Sequence, residues 1–490
     1  MLFNSFEFFG FFILVFALYW ATGKRHHVLQ NVILLIASYV FYGIAEWRML
    51  PLLMVVTVTF YYLGIGIEKN RDNKKSALFR LIGVILGIGV LLYFKYFNFF
   101  IQSFIDLFSL LGLKSNLHTF NIIMPLGVSY FTFKLISYVI EVYRGKMSAC
   151  PNICVFANYI SFFPTIMSGP IDRPDKFIPQ LEKERKFNYD LAMDGFQQVL
   201  WGLMKKMLIA DKLAGFVTPA WENYQALPGS TLFLSVVMYL FQLYADFSGY
   251  SDMAIGVAKL MGFRVTPNFK YPFFTTNIAE FWRRWHMSLT SWVTDYVFTP
   301  LNIKFRNIGN WGLFLAILIN MVLIGLWHGA NWTYAVFGVY QAVLFVPLIV
   351  TGRMSKRQKL HIGKLGSPSL MDVVKMIMVF LLFAMGTVII RADSVHHAID
   401  FFMIMFSSSI FAPVVIPLEG VHFSSVLLRF ALVGALILIE WFQREKEFAL
   451  QFSERIRNRR WLVCAIDLFM MFLIAFWGDD SSNAFIYFQF

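Results

Sequence analysis

The feature that most limits the fold is a succession of apolar stretches along the whole chain, at 5–22, 28–46, 50–67, 81–99, 120–140, 154–170, 193–210, 231–258, 311–328, 331–351, 370–390, 424–442 and 461–477. Coiled as helices, apolar runs of about 17–25 residues match the hydrocarbon thickness of a bilayer. In hydrocarbon every backbone N–H and C=O must be bonded within the protein, and runs this continuous do so as helices. Only 14% of the 490 residues are charged and 58% are hydrophobic, against about 25% charged in soluble domains. That excludes a large soluble enzyme. Some stretches should be re-entrant or interfacial, so the expected fold is all-α and polytopic, with about eleven transmembrane helices.

The net charge of +13 does not point to nucleic acid, because Lys and Arg are spread over short loops, as in cytoplasmic loops facing anionic lipid. The basic loops at 23–27, 68–80, 352–364 and 443–460 should lie inside, which puts the N-terminus and the tail 478–490 outside. The segment 391–423 reads as an external or interfacial hairpin. The first twenty or so residues lack a basic n-region and a small-residue cleavage site, so they read as a retained helix. Cys150, Cys154 and Cys464 form neither a disulfide framework nor a metal site, and no bound metal or cofactor is expected. No repeat, linker or low-complexity segment stands out. The domain reading is one polytopic unit over 1–477 and an extracytoplasmic aromatic tail over 478–490.

Against this background three polar clusters crowd into 242–331: QLYADFSGYSDM at 242–253, EFWRRWHMSL at 280–289 and GLWHGAN at 325–331. Ionisable groups at membrane depth are costly, so each is a candidate for function. His328 ends a nearly pure aliphatic run. A desolvated imidazole stays neutral, and a neutral imidazole can take a proton from a hydroxyl. Gly325 and Gly329 beside it leave room for a substrate or for a neighbouring backbone. Helical spacing would put Arg283, His286 and Thr290 on one face, with Asp295 a partner for an arginine. Phosphate-gripping arginines in an interfacial helix are the competing reading of that cluster. In the first cluster, Gln242 and Asp246 fall on one helix face and Tyr244, Ser248 and Asp252 on another, so this helix cannot face lipid. Asp246 or Asp252 could orient a histidine or pair with Arg283 or Arg284. PLGVSY at 125–130 and the Pro164 and Gly169 region read as breaks in spans, and Lys205, Lys206, Asp211 and Lys212 as an inner-surface boundary. The tail FIYF at 485–488 either packs on the bundle rim or presents the Tyr487 hydroxyl, which can carry an acyl group as an ester.

With PLGVSY at 125–130, YRG at 143–145, SGPI at 168–171, LYADFSGYSDMAIG at 243–256, FWRRWHMSL at 281–289, Asp295 with Tyr296, and LWHGA at 326–330, the sequence resembles the membrane-bound O-acyltransferase superfamily. The likeness is to the bacterial branch that holds the alginate O-acetyltransferase membrane subunit and the D-alanyl transferase of lipoteichoic acid. It implies tilted helices around a central channel, with His328 as the catalytic histidine and His286 as the second. Asp246, Ser248, Asp252, Arg283, Trp285, Trp327 and Asn331 become candidates for the cavity wall. It further implies a cytoplasmic thioester donor (acetyl-CoA or an acyl-carrier protein) and a proposed acyl-carrier role for Tyr487. After Tyr296 the chain runs through Thr299 and Pro300 to Arg306, without the glycine pair that often closes this loop in relatives. That departure bears on the donor, not on the reaction class.

The expectation is therefore an O-acyltransferase of the cytoplasmic (inner) membrane that moves an acyl group, acetyl in the first instance, toward hydroxyls of an exported polysaccharide. No external domain is evident to hold a polymer, so a separate extracytoplasmic SGNH-type transferase or esterase is the expected partner, with membrane lipid around the chain. The rival classes are a flippase for a lipid-linked glycan, which broken spans and buried charge would also suit, and an acyltransferase acting on lipid or protein.

Overall fold

A computed structural model describes residues 1–22, 27–354, 356, 360–363, 366–416, 423–478 and 485–486. Tyr487, most of the 478–490 tail, the basic residues at 24–26 and part of the 352–364 loop lie outside the described residues. Apart from an isolated bridge between Ile362 and Pro368, every described element is helical. Among the described residues, seven helical runs are long and apolar enough to cross a membrane. Those at His27–Lys69, Lys74–Leu110 and Met287–His328 have 43, 37 and 42 residues, each more than the ~20 that one crossing needs. The all-helical, multi-pass expectation holds.

The chain divides into two compact units. One comprises Met1–Val199 with Met253–Thr266, the other Leu200–Asp252 with Pro267–Phe490. In the first, the helix Val128–Tyr143 is buried along nearly its whole length. Gly64, Gly83 and Gly87 leave the space taken by Tyr138, Val139 and Ile136 from that helix. Gly127 precedes it with φ 67, and a Cβ there would overlap the Ile166 carbonyl. PLGVSY thus starts a helix instead of interrupting one, because Gly127 can take the left-handed turn that admits the neighbouring backbone. The helix Ile153–Ser161 does stop before Phe162 and Pro164, as the sequence suggested. The Cys150 thiol is buried after the Val128–Tyr143 helix, and burial pushes it up to about 11, so it is inert at neutral pH.

In the second unit, the helices Gly309–His328 and Trp332–Val343 run back against each other after the short turn at 329–331. A Cβ on Gly325 would strike the Tyr334 carbonyl, and one on Gly338 the Met321 carbonyl. Small residues thus let the two backbones approach, as membrane helices do where packing replaces the hydrophobic effect. The space beside His328 belongs to this neighbouring helix: a Cβ on Gly329 would overlap the Tyr334 ring. The aromatic side of the charged stretch 274–300 is sunk into the protein: Phe281 and Trp282 are buried on the short helix Ile278–Trp282, and Trp285 and His286 are buried in the break before Met287–Val293. The helix Gly229–Leu260 is 83% buried over its most apolar window, whereas Lys74–Leu110 is 11% buried. The first therefore lies inside and the second offers its side chains to lipid, as the polar content of 242–253 demands.

Candidate active site

His328 is the last residue of its helix and His286 sits in the break between Ile278–Trp282 and Met287–Val293. Their ring centroids are 6.1 Å apart. His286 is 0% exposed and His328 6%, so both imidazoles are shielded from bulk water. Trp327 lies 5.3 Å from the His286 ring, and Phe247 meets that ring edge-on at 4.7 Å. Phe247 places the SGYSD helix against His286, and the LWH helix end supplies the opposite wall. Residues from all three sequence clusters are thereby brought together.

His286 adopts φ 46 and ψ 52, a left-handed conformation costing roughly 1–2 kcal/mol in an L-residue. The bend is pinned on both sides. Lys270 N–H donates to the Arg284 carbonyl at 3.0 Å, and Met287 N–H to the Asn268 carbonyl at 2.8 Å. The Ser288 hydroxyl donates to Asn268 Oδ1 at 2.6 Å, and Asn268 Nδ2 donates to Ser251 Oγ at 3.1 Å. Strain held by such a bond set clusters at functional sites. The bend also breaks the expected helix face: Arg283 caps the end of one short helix and His286 the start of the next. Arg283 is exposed, pairs with Glu280 at 3.2 Å and donates to the Met354 carbonyl at 3.1 Å. Arg284 also turns to Glu280, at 3.1 Å. Arg283 is therefore not in the histidine cage. Trp285 stacks on Phe281 at 5.5 Å and approaches Phe383 at 5.0 Å, so it packs the wall behind the cage.

Asp246, Ser248 and Asp252 converge, on lysines instead of a histidine or arginine. Lys205 donates to Ser248 Oγ at 2.8 Å and to Asp252 at 2.6 Å. Lys206 bridges Asp246 at 2.8 Å and Asp211 at 2.9 Å. Both lysines are buried, at 2% and 1% exposure, which overturns their reading as an inner-surface boundary. They open a π-helical bulge, Lys205–Ala210, a distortion common at functional sites. The two polar faces of the 242–252 helix thus meet two adjacent lysines. Glu440, also buried, accepts from the Tyr244 hydroxyl at 2.9 Å. Sequence reasoning missed Lys205, Lys206 and Glu440 as site residues. The available signal was a lysine pair within the apolar run 193–210, where charge requires an internal partner.

Beside Lys206 opens a cavity of about 450 Å³ lined by Lys206, Gln242, Asp246, Asn331, Arg391 and Ile486, among others. Asn331 caps the helix Trp332–Val343, accepting from Thr333 N–H at 3.1 Å, and its Nδ2 donates to the Asp393 carbonyl at 2.9 Å. The tail enters this wall. Ile486 N–H donates to Asp246 Oδ2 at 2.9 Å. The Phe485 ring lies 4.5 Å from Lys206 Nζ and 5.0 Å, edge-on, from Tyr250. A buried ion pair thus holds the backbone directly before Tyr487.

Comparison with known proteins bears on what this cage does. A family model described as MBOAT, membrane-bound O-acyltransferase family, matches residues 39–388. The chain is 36% identical to the probable alginate O-acetylase AlgI of Pseudomonas aeruginosa, over 83% of this chain and 75% of the relative. It is 29% identical to the peptidoglycan O-acetyltransferase of Helicobacter pylori, over 69% of this chain and 66% of that protein. With the teichoic acid D-alanyltransferase of Bacillus subtilis it shares 33% identity over 56% of this chain and 71% of that one.

Proposed function

The chain belongs to the membrane-bound O-acyltransferase family, and from that premise we propose that it passes an acyl group, acetyl in the first instance, from a cytoplasmic thioester toward hydroxyls of an exported polysaccharide. Its reaction class, O-acyl transfer, is that of the family. The polysaccharide acceptor is inferred from relatives named for alginate, peptidoglycan and teichoic acid.

His328 is the general base in this reading. Its imidazole takes the proton of the attacking hydroxyl, the oxygen bonds to the thioester carbonyl carbon, and the tetrahedral intermediate expels the thiol, which takes the proton back. His286 faces His328 and acts on the charge that develops at the carbonyl oxygen. Asp246 and Lys206 position the tail, so the Tyr487 hydroxyl is the first acceptor, forming an ester that an extracytoplasmic SGNH-type partner carries on to the polymer. The donor is acetyl-CoA or an acyl-carrier protein and approaches from the side of the basic loops, in the cytoplasmic (inner) membrane. Asp252 and Ser248 hold Lys205, and Trp327 closes the cage against water.

The observation that carries this reading is the shielded His286–His328 pair in a family of acyltransferases. The experiment uses full-length protein in nanodiscs with radiolabelled acetyl-CoA or acetyl-loaded acyl-carrier protein. The outcome expected is labelled protein that loses its label when Tyr487 is changed to Phe, and a fall of about 10²–10⁴-fold in transfer for His328→Ala. Undiminished transfer by a folded His328→Ala removes the base from the mechanism. Undiminished glycan acylation by Tyr487→Phe in cells removes the carrier.

A further inference from the structure

The helices Lys74–Leu91 and Val128–Tyr143 cross antiparallel in the first unit. Gly87 meets Ile136, Gly83 meets Val139, and one turn further along the Arg80 guanidinium carbon lies 4.2 Å from the Tyr143 ring. The glycines let the backbones approach. At the Arg80 end, where the first helix has no more of them, lies a cavity of about 310 Å³ lined by Arg80, Leu81, Val84, Ile140, Tyr143 and Arg144. Leu81 is exposed, as are Leu78, Ile82 and Ile85 on the same helix, so the cavity is reached from the lipid. The loop 68–80 is among the basic loops that the charge rule puts inside, which sets the cavity at the headgroups of the cytoplasmic leaflet.

Arg80 makes no hydrogen bond or ion pair with any described residue, and its cation–π contact with Tyr143 leaves its N–H groups unused. Such a fork matches the oxygens of a phosphate. Arg144, at the end of the other helix, is exposed and shares the buried Glu141 with Lys146, at 3.4 and 3.1 Å. One carboxylate between two cations leaves positive charge over. Of the other acidic groups close in sequence, Glu68 faces Arg71 at 4.0 Å and accepts from the Ala149 N–H at 3.1 Å, and Asp72 is exposed. Across 68–80 and 141–146 there are seven Lys or Arg against three Asp or Glu, and among the described residues lining the cavity none is acidic. An arginine that only snorkels to the interface needs neither a cavity nor a second cation from another helix. Basic pockets between membrane helices on the cytoplasmic side take anionic headgroups, and here Leu81, Val84 and Ile140 continue the wall into the depth where acyl chains run.

We propose that this cavity binds one anionic glycerophospholipid of the cytoplasmic leaflet, its phosphate on Arg80 and Arg144 and its acyl chains along Leu81, Val84 and Ile140. The lipid would join the exposed helix Lys74–Leu91 to the buried helix Val128–Tyr143. The site stands apart from the histidine cage and does not depend on the acyl-transfer reading.

The test is native mass spectrometry of the full chain in a neutral detergent, titrated with phosphatidylglycerol and phosphatidylethanolamine of matched acyl chains. Wild type should retain one phosphatidylglycerol with a preference of about tenfold or more over the zwitterionic lipid. Arg80→Gln should cut that preference about fivefold. Lys74→Gln with Lys75→Gln, which removes more charge from the same loop outside the cavity, should leave it unchanged. Val84→Trp should fill the cavity and lower retention while both arginines remain. Glycerol phosphate, which has the headgroup chemistry without acyl chains, should not displace the lipid at equal concentration. Equal retention of the two lipids by wild type overturns the site, and so does an unchanged preference in an Arg80→Gln protein that melts like wild type. A loss in the Lys74→Gln, Lys75→Gln protein as large as that in Arg80→Gln reduces the effect to general surface charge and overturns it too. Displacement by glycerol phosphate replaces the lipid with a free phosphate and removes the proposal.

Discussion

His286 is legible as a residue and illegible as a conformation. Its place among arginines and tryptophans marked it, but the φ of 46 comes from bonds made by residues 268 and 270, which no local pattern reveals. Glycine adopts that φ without the steric penalty. His286→Gly should therefore match wild type in denaturant midpoint or exceed it, while His286→Ala should fall about 1 kcal/mol below the glycine variant. Both lack the imidazole, so equal losses of turnover in the two variants assign the loss to chemistry. A glycine variant with wild-type turnover reduces His286 to a bend. Lys205 tests the buried network. Lys205→Met leaves Asp252 without its 2.6 Å partner, and breaking such a pair costs about 3–5 kcal/mol. Adding Asp252→Asn should restore a substantial part, since the charge that Lys205 balanced is removed as well. Unfolding in detergent followed by tryptophan fluorescence reads both. The lysine pair resembled an ordinary basic helix edge because Asp211 and Lys212 follow it in sequence. Its burial depends on Asp246 and Asp252, about forty residues away in the chain.

At the scale of elements, apolar length was a good guide where chemistry was uniform. The stretch 311–328 became the helix Gly309–His328, and 370–390 became Leu370–Arg391. It failed at 120–140, where the helix begins only at Val128, because Pro125 and Gly127 set a turn that hydropathy alone does not register. Helical spacing failed at 283–290, where a period of 3.6 was assumed through the left-handed His286. The contact between Gly309–His328 and Trp332–Val343 was half legible: the glycines were visible, their occupant was not. Gly325→Val would put a branched Cβ onto the Tyr334 carbonyl. Overpacking of this kind costs about 1–3 kcal/mol, and here it also displaces His328, three residues on. The expected result is a lowered melting temperature with a larger proportional loss of acyl transfer, while Gly434→Ala, at a position with no atom near its Cβ, should change neither. Equal behaviour of the two variants would remove the close crossing as a support for His328.

On the scale of the whole molecule, the charge pattern assigns sides to elements that hydropathy only counts. If 443–460 is inside, the helix Arg460–Trp477 exits and Phe485 lies outside. The same rule places the start of Trp332–Val343 and the end of Leu370–Arg391 outside, and these contribute Asn331 and Arg391 to the cavity wall beside Ile486. By the charge rule the tail and the basic loops lie on opposite sides of the membrane. The proposed reaction, from a cytoplasmic thioester to an exported hydroxyl, needs that separation. Cysteine mapping checks the assignment directly. In a background with Cys150, Cys154 and Cys464 changed to Ser, single cysteines at Ser409 and Lys446 should differ in intact spheroplasts. A membrane-impermeant maleimide should label the variant at Ser409, beside the helix Val395–Met405, and reach the one at Lys446 only after permeabilisation. Labelling in the opposite order would invert the topology, put the tail on the donor side, and remove Tyr487 as a carrier toward the exterior even if His328 proved essential.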